Sequence, residues 1–342
     1  MLRLPTFDYY RPTSLAEAAR LIAGQSPDQV RLVAGGTDLW PNLKRRHQKA
    51  EAVVSLAGVP DLRGVTCRPD GSLKIGALTP LSELAAHPEL GARLPALVVA
   101  LGSISSPVLR NQGTLGGNLC LDTRCTYYNQ SEEWRRAISY CMKAEGEVCW
   151  VAPGSPRCWA VSSSDAAPML SALGARVRLV CHEGERWLPL PELYQDDGMA
   201  YLTKRPDEIL TEIELPAEAA SARSAFWKLR RRGSIDFAVL SVAASLWLDG
   251  EGRVERARVY LGAVASFPAP AKATMEALEG RKLDEETVKA AAELARRDAT
   301  PMDNTDFQPA WRGAMVARYV EAALRDCAGL PRQRLEPRLG QA

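Results

Sequence analysis

Four cysteines, Cys125, Cys141, Cys149 and Cys158, lie close together in the chain with Cys120 just ahead of them, and they are its densest set of chemically capable side chains. Thiolates grouped in this way can hold zinc or an iron-sulfur cluster, or the side chains can be buried as small apolar groups. The gaps contain no Cys-x2-Cys pair, which disfavours a zinc ribbon, and spacing alone leaves the other options open. The carrier segment, residues 120–161, mixes Tyr, Trp and both charge signs without a sustained hydrophobic period, so it reads as an insertion. Something must order such a segment, and four thiolates around an iron-sulfur cube would do so while supplying a redox centre. Cys67, Cys181 and Cys327 are scattered and read as small hydrophobes.

Two glycine pairs form the second constellation. Leu32-Val33 runs into Ala34-Gly35-Gly36-Thr37-Asp38-Leu39 at a strand-to-helix turn, and Thr114-Leu115-Gly116-Gly117-Asn118 follows later. Backbone N–H groups without a neighbouring Cβ can converge on a phosphate there, and the two pairs together could grip both phosphates of one dinucleotide. Neither pair fits the G-x-G-x-x-G or G-x-x-x-x-G-K-[ST] fingerprint. Asp38 would repel a phosphate unless it turns away to cap the next helix.

Patterning predicts the elements that position these groups. Helices are expected over 14–22, 39–49, 80–86, 95–101, 166–173, 271–278, 284–297 and 311–325, and strands over 30–33, 52–56, 64–67, 73–78, 175–181, 186–189 and 208–215. Strands at 225–229, 239–248 and 254–264 suggest a three-stranded meander. The division implied is 1–57 and 58–217 as two α/β units, the second carrying the insertion, then 218–327 as an α+β domain and 328–342 as a loosely held tail.

The 342 residues carry a net charge of +2, 46% hydrophobic and 25% charged residues, which is ordinary globular composition and excludes a basic nucleic-acid binder or an acidic tail protein. The apolar stretches are too short to span a membrane, so no membrane partner is expected. Residues 1–11 set Arg3 and Asp8 among prolines and aromatics, predicting no secretory signal, a cytoplasmic location and reduced cysteines. His47, His87 and His182 sit in charged or turn contexts and read as surface residues, with no catalytic triad and no histidine metal motif. Asp165 reads as the N-cap of the helix that follows it, and spacing alone makes Lys228 a solvated strand residue.

The order of these motifs resembles a known family. Ala34 to Leu39 with Lys44, Ile75-Gly76-Ala77 with Pro80-Leu81, Thr114 to Asn118, Ser164-Asp165-Ala166-Ala167-Pro168, Glu208-Ile209-Leu210 closed by Pro216, and Phe226-Trp227-Lys228 with Arg232, Asp236 and Ala238 are similar to the FAD-binding medium subunits of molybdenum hydroxylases, the xanthine dehydrogenase group. The resemblance spans about residues 1–325. It implies an α+β chain: a vanillyl-alcohol-oxidase-like FAD-binding domain in two α/β subdomains, then a C-terminal α+β domain with a three-stranded antiparallel sheet. It further implies that the loop from Leu32 to Leu39 and the loop with Thr114, Gly116, Gly117 and Asn118 hold the FAD pyrophosphate. Ile104, Ser105, Ser106 and Leu109 would lie against the flavin, Ser164 and Asp165 would bond its polar groups, and Ile209, Leu210 and Lys228 would border the ring.

Most such subunits lack an insertion of this length. The stretch from Leu119 to Gln130 resembles the one that carries it, the β subunit of 4-hydroxybenzoyl-CoA reductase, whose four cysteines hold a 4Fe-4S cluster. The resemblance maps the ligands onto Cys125, Cys141, Cys149 and Cys158, with Cys120 buried near FAD or, as the minor alternative, replacing Cys125. It implies an oxidoreductase subunit that passes electrons from ferredoxin through 4Fe-4S and FAD to a small 2Fe-2S subunit and a large molybdenum subunit where the aromatic thioester reacts. The same role in a molybdenum hydroxylase with another substrate, or a metal-free or zinc-binding scaffold, are the competing readings.

Overall fold

The computed structural model describes residues 2–332 except Ser234, together with Leu335. Among the described residues, twelve strands in chain order build three sheets: β1 (Asp8–Tyr10), β2 (Val30–Val33), β3 (Ala52–Ser55), β4 (Val65–Cys67), β5 (Leu73–Gly76), β6 (Arg176–Cys181), β7 (Gly184–Pro189), β8 (Ile209–Leu215), β9 (Arg223–Leu229), β10 (Leu240–Leu248), β11 (Val254–Gly262) and β12 (Ala269–Pro270). The first sheet is parallel in the order β1-β3-β2. Its central strand, Ala-Val-Val-Ser, is buried at every position, which fits the apolar run Ala52 to Val54. Helix Leu15–Ile22 packs beside it, started by Ser14, whose Oγ accepts from Glu17 N–H at 3.2 Å, while Thr13 N–H donates to the Glu17 carboxylate at 2.9 Å.

The second sheet is antiparallel in the order β4-β5-β8-β6-β7. Helices Pro95–Ser103 and Ala166–Ala172 share its apolar core through Leu97, Leu101, Met169 and Leu170. The third sheet runs β12-β11-β10-β9, so the expected three-stranded meander has a fourth strand. That edge is only two residues long and ends in Pro270, which cannot donate to a ladder, and it leaves no periodic signal. Helix Pro309–Ala328 covers this sheet and is closed by Gly329 in the left-handed conformation.

The helix expected over 39–49 ends at Lys44, because Arg46 turns to φ 59° and His47 N–H returns to Asn42 O at 2.9 Å. Of the expected tail, Ala328 closes the last helix, Leu330 and Leu335 pack on the third core, and Arg332 pairs with Asp326 at 2.9 Å; residues 333, 334 and 336–342 lie outside the described residues. Among the described residues, no helix is long and apolar enough to cross a membrane.

Candidate functional site

A cavity of about 1080 Å³ opens where β2, the two glycine loops and β8 meet. The two loops are in direct contact. A Cβ on Gly35 would lie 1.7 Å from Gln112 O, so only glycine lets the first loop sit against the second. Gly116 is equally confined, with a Cβ meeting Ala77 Cβ at 2.7 Å. Two N–H groups of the second loop serve the fold itself: Gly116 donates to Ala77 O at 2.7 Å and Gly117 to Thr114 Oγ1 at 3.2 Å. All four glycines of the two loops line the cavity.

Leu32 to Leu39, Ile104, Ser105, Leu109, Thr114, Gly116, Gly117, Asn118, Asp165, Ile209 and Leu210 all line this cavity. Ser106, Ser164 and Lys228 do not, and each has a local reason. Ser106 Oγ caps helix Pro107–Arg110 by accepting from Leu109 N–H at 3.4 Å. Ser164 Oγ donates to Asn118 Oδ1 at 2.8 Å and accepts from Ala167 N–H at 3.1 Å, so it is this serine, and not Asp165, that caps the helix after it. Ser163 takes its place in the cavity wall.

Lys228 is not solvated. Its Nζ donates to Asp165 Oδ2 at 2.6 Å and to Ser103 O at 3.0 Å, with both charged side chains 4% exposed. Burial pushes the Asp165 carboxyl above its ordinary range against the pull of Lys228. The second oxygen of Asp165, and Ser163 Oγ, are buried without a protein partner at the cavity wall. Buried polar atoms of this kind want a ligand's donors or acceptors. Ser105, held at φ 51°, accepts at its carbonyl from Ile235 N–H at 3.0 Å and so brings Ile235 and Phe237 to the cavity. Sequence reasoning missed these two and Tyr201, which sit in loops without any period.

Asp38 does not cap its helix by side chain. It accepts from Asn42 Nδ2 at 2.9 Å and forms an ion pair with Arg124, the residue just before Cys125. Arg124 also lies 4.9 Å over the Phe237 ring. Burial raises the Asp38 pKa although Arg124 opposes it. His47, expected at the surface, is 8% exposed, with its ring 4.7 Å from that of Tyr128 and its Nε2 3.2 Å from Gln130 O, joining the first α/β unit to the insertion. Desolvation lowers its pKa to about 4.

The insertion holds a short α-helix, Glu132–Ala137, and a 3-10 turn, Met142–Ala144, and is tied in by the bridge between Arg124 and Val161. Cys125, Cys141, Cys149 and Cys158 are all free thiols, all buried, and line one small cavity with about 10 Å³ between them. Backbone N–H groups of Tyr127 and Tyr128 bond Cys125, those of Lys143 and Ala144 bond Cys141, and Ala160 N–H bonds Cys158 Sγ at 3.4 Å. Burial pushes the Cys125 thiol up to about 12 and Cys158 to about 11, so a ligated metal must displace their protons. Cys120 lines the large cavity instead, as a thiol raised by burial.

Of the three scattered cysteines, Cys327 is buried as a small hydrophobe should be, whereas the other two differ from expectation. Cys67 is exposed beside Arg93, and Cys181 is partly exposed. Cys181, His182 and Asp207 bring their ligand atoms within 4.8 Å of one another, the one such grouping among the described residues. Arg205 already reaches both Cys181 Sγ at 3.2 Å and Asp207 at 3.0 Å, supplying a cation there.

Residues 5–218 match the model of the FAD binding domain in molybdopterin dehydrogenase, and residues 224–327 that of the CO dehydrogenase flavoprotein C-terminal domain. The chain belongs to the FAD-binding subunit family of the molybdopterin dehydrogenases. It is 29% identical over 329 residues to the carbon monoxide dehydrogenase medium chain of Hydrogenophaga pseudoflava, covering 95% of this chain and 99% of that one. The aldehyde oxidoreductase FAD-binding subunit of Escherichia coli K12 is 32% identical over 274 residues, 78% of this chain and 83% of the relative. The solved structure of the H. pseudoflava carbon monoxide dehydrogenase lacking the Mo-pyranopterin moiety of the molybdenum cofactor superposes with a TM-score of 0.78 at 27% identity, covering 96% and 99% of the two chains. As a member of this family the chain is an FAD-binding oxidoreductase subunit.

Proposed function

We propose that this FAD-binding subunit also holds a 4Fe-4S cluster on Cys125, Cys141, Cys149 and Cys158 and serves a molybdenum-dependent complex similar to 4-hydroxybenzoyl-CoA reductase. The observation that carries the reading is the meeting of four buried, unpaired thiols on one cavity next to the larger one. FAD exchanges one or two electrons and an iron-sulfur cluster one, so bound together they let a one-electron donor such as ferredoxin serve a two-electron reaction. A small 2Fe-2S subunit and a large molybdenum subunit complete the proposed assembly.

The chain's own residues do the holding. The bend at Gly35 and Gly36 offers backbone N–H groups to a diphosphate, and Gly116 and Gly117 let it approach without a Cβ at those two positions. Ile104, Ile209 and Leu210 supply an apolar slot for the flavin ring, while Ser163 and Asp165 offer their unpartnered oxygens to its polar edge. Around the cysteines, the N–H donors favour the ionised sulfurs that a cluster needs. A single zinc fits less well. Tetrahedral Zn–S bonds of about 2.3 Å bring sulfurs to within roughly 4 Å of one another, and no three of these four sulfurs are among the ligand groups that close.

The test is anaerobic purification with co-expressed partners, followed by FAD, iron and acid-labile sulfide analysis of this chain. One FAD and one cube per chain are expected, with iron lost in Cys125→Ser. Zinc, or thiols that remain free to alkylation in the native complex, would refute the cluster. The same flavin role with a different substrate is favoured by the names of the relatives, which concern carbon monoxide and aldehydes. Reoxidation of the reduced complex by a panel of acyl-CoA thioesters and heterocycles separates the two.

A further inference from the structure

The large cavity and the cysteine cavity share a wall. Tyr128 and Lys143 line both of them. Lys143 is set into that wall by three hydrogen bonds from its Nζ: to Asp122 Oδ1 at 2.8 Å, Thr123 Oγ1 at 2.9 Å and Gly198 O at 2.7 Å. Its side chain and that of Asp122 are 7% and 6% exposed. The ammonium lies 5.0 Å from the centre of the Tyr128 ring and 5.4 Å from that of Tyr201, and Tyr128 donates its hydroxyl to His47 O at 2.7 Å.

Every part of this arrangement fixes the lysine in place. Gly198 supports it from the far side, since a Cβ there would lie 2.8 Å from Cys158 Sγ, so the same residue that accepts from Lys143 also makes room for a sulfur. A charge locked between two cavities is poorly screened by water, so the field of the Lys143–Asp122 pair reaches both. Adding an electron to a group makes it more negative, and a neighbouring fixed cation favours that form.

Resting on the proposed FAD and cluster sites, we propose that Lys143 is a shared positioning residue whose charge, held in the common wall by Asp122, Thr123 and Gly198, raises the reduction potentials of both redox groups together. Its counter-ion Asp122 tempers the effect, so the two side chains act as an oriented pair. The Tyr128 ring completes the partition as the one aromatic surface facing both cavities among the residues that line them jointly.

Anaerobic potentiometry of the assembled complex, read by absorption for the flavin and by electron paramagnetic resonance for the cluster, tests this. Lys143→Met should lower both potentials, each by about tenfold in the one-electron equilibrium or 59 mV. Lys143→Arg should hold them near wild type. Because Lys143→Met strands a buried Asp122, the double variant Lys143→Met, Asp122→Asn keeps the wall neutral and foldable; its shift should have the same sign and be smaller. Iron, sulfide and FAD are counted in each preparation first. Wild-type protein with FAD but no iron would refute the cluster reading and, with it, the shared role of Lys143. Fully loaded variants with unchanged potentials, or only one potential moved, would overturn the shared role of Lys143.

Discussion

Replacing Gly35 with alanine should all but abolish FAD retention. The added Cβ would stand 1.7 Å from Gln112 O and 2.5 Å from its carbonyl carbon, where real Cβ atoms do not come within 3.0 Å. Both contacts are with backbone atoms, so no side chain can swing aside, and the loops must part by about 1 Å or more. A displacement of that size carries N–H donors on the first loop out of range of a phosphate. Two charge-assisted hydrogen bonds at about 1.5–3 kcal/mol each amount to roughly 10²–10⁴-fold in affinity. The assay is titration of deflavinated protein with FAD, followed by quenching of flavin fluorescence. Gly102→Ala is the control: it lies in helix Pro95–Ser103 with nothing within 4 Å of the new Cβ, and it should bind FAD normally while gaining about 0.5–1 kcal/mol of stability. Gly35→Ala protein that binds FAD as tightly as wild type would refute the claim that contact between the loops shapes the site.

Three further outcomes are expected. Lys228→Met should cost about 3–5 kcal/mol in urea denaturation by stranding buried Asp165, whereas Lys228→Met with Asp165→Asn should recover most of it; equal losses would contradict the ion pair's role. His47 has a folded pKa of about 4, below its ordinary 6.5, so the unfolded chain takes up its proton first and stability falls as pH drops through this window, by about 3 kcal/mol in all. His47→Gln should flatten that slope in denaturation midpoints measured from pH 7 to pH 4, and an unchanged slope would assign it elsewhere. Cys120→Ser should leave iron content untouched, because this thiol faces the large cavity and not the other four; iron loss on that substitution would reinstate it as a ligand.

Much of the site could be read along the chain because its parts are local. A strand, two glycines and a helix start identify a loop wherever they occur, and the order of several such loops set the cavity's lining from Leu32 to Leu210. What local reading misplaced were the hydroxyls and charges with two possible partners. Ser106 and Ser164 turn to backbone N–H groups at helix starts, and Lys228 turns to a carboxylate 63 positions away in sequence. His47 carried the charged neighbours of a surface residue, yet the insertion folds over it, and a contact across 81 positions with Tyr128 leaves no trace in either segment. β1 and β12 were invisible for a different reason: at three and two residues they are too short to alternate, and their pairing partners define them.

The ion pair between Asp38 and Arg124 ties two segments with separate tasks, one in the bend after β2 and the other a single peptide bond from Cys125. Thermodynamic reciprocity applies to any such tie. Whatever free energy a guest at the thiols contributes to ordering that arginine returns, in equal measure, to the coenzyme's loop, and the reverse holds as well. With the proposed cluster on those thiols, this tie would couple the filling of the two sites, and chains that lack iron should also hold their flavin less firmly.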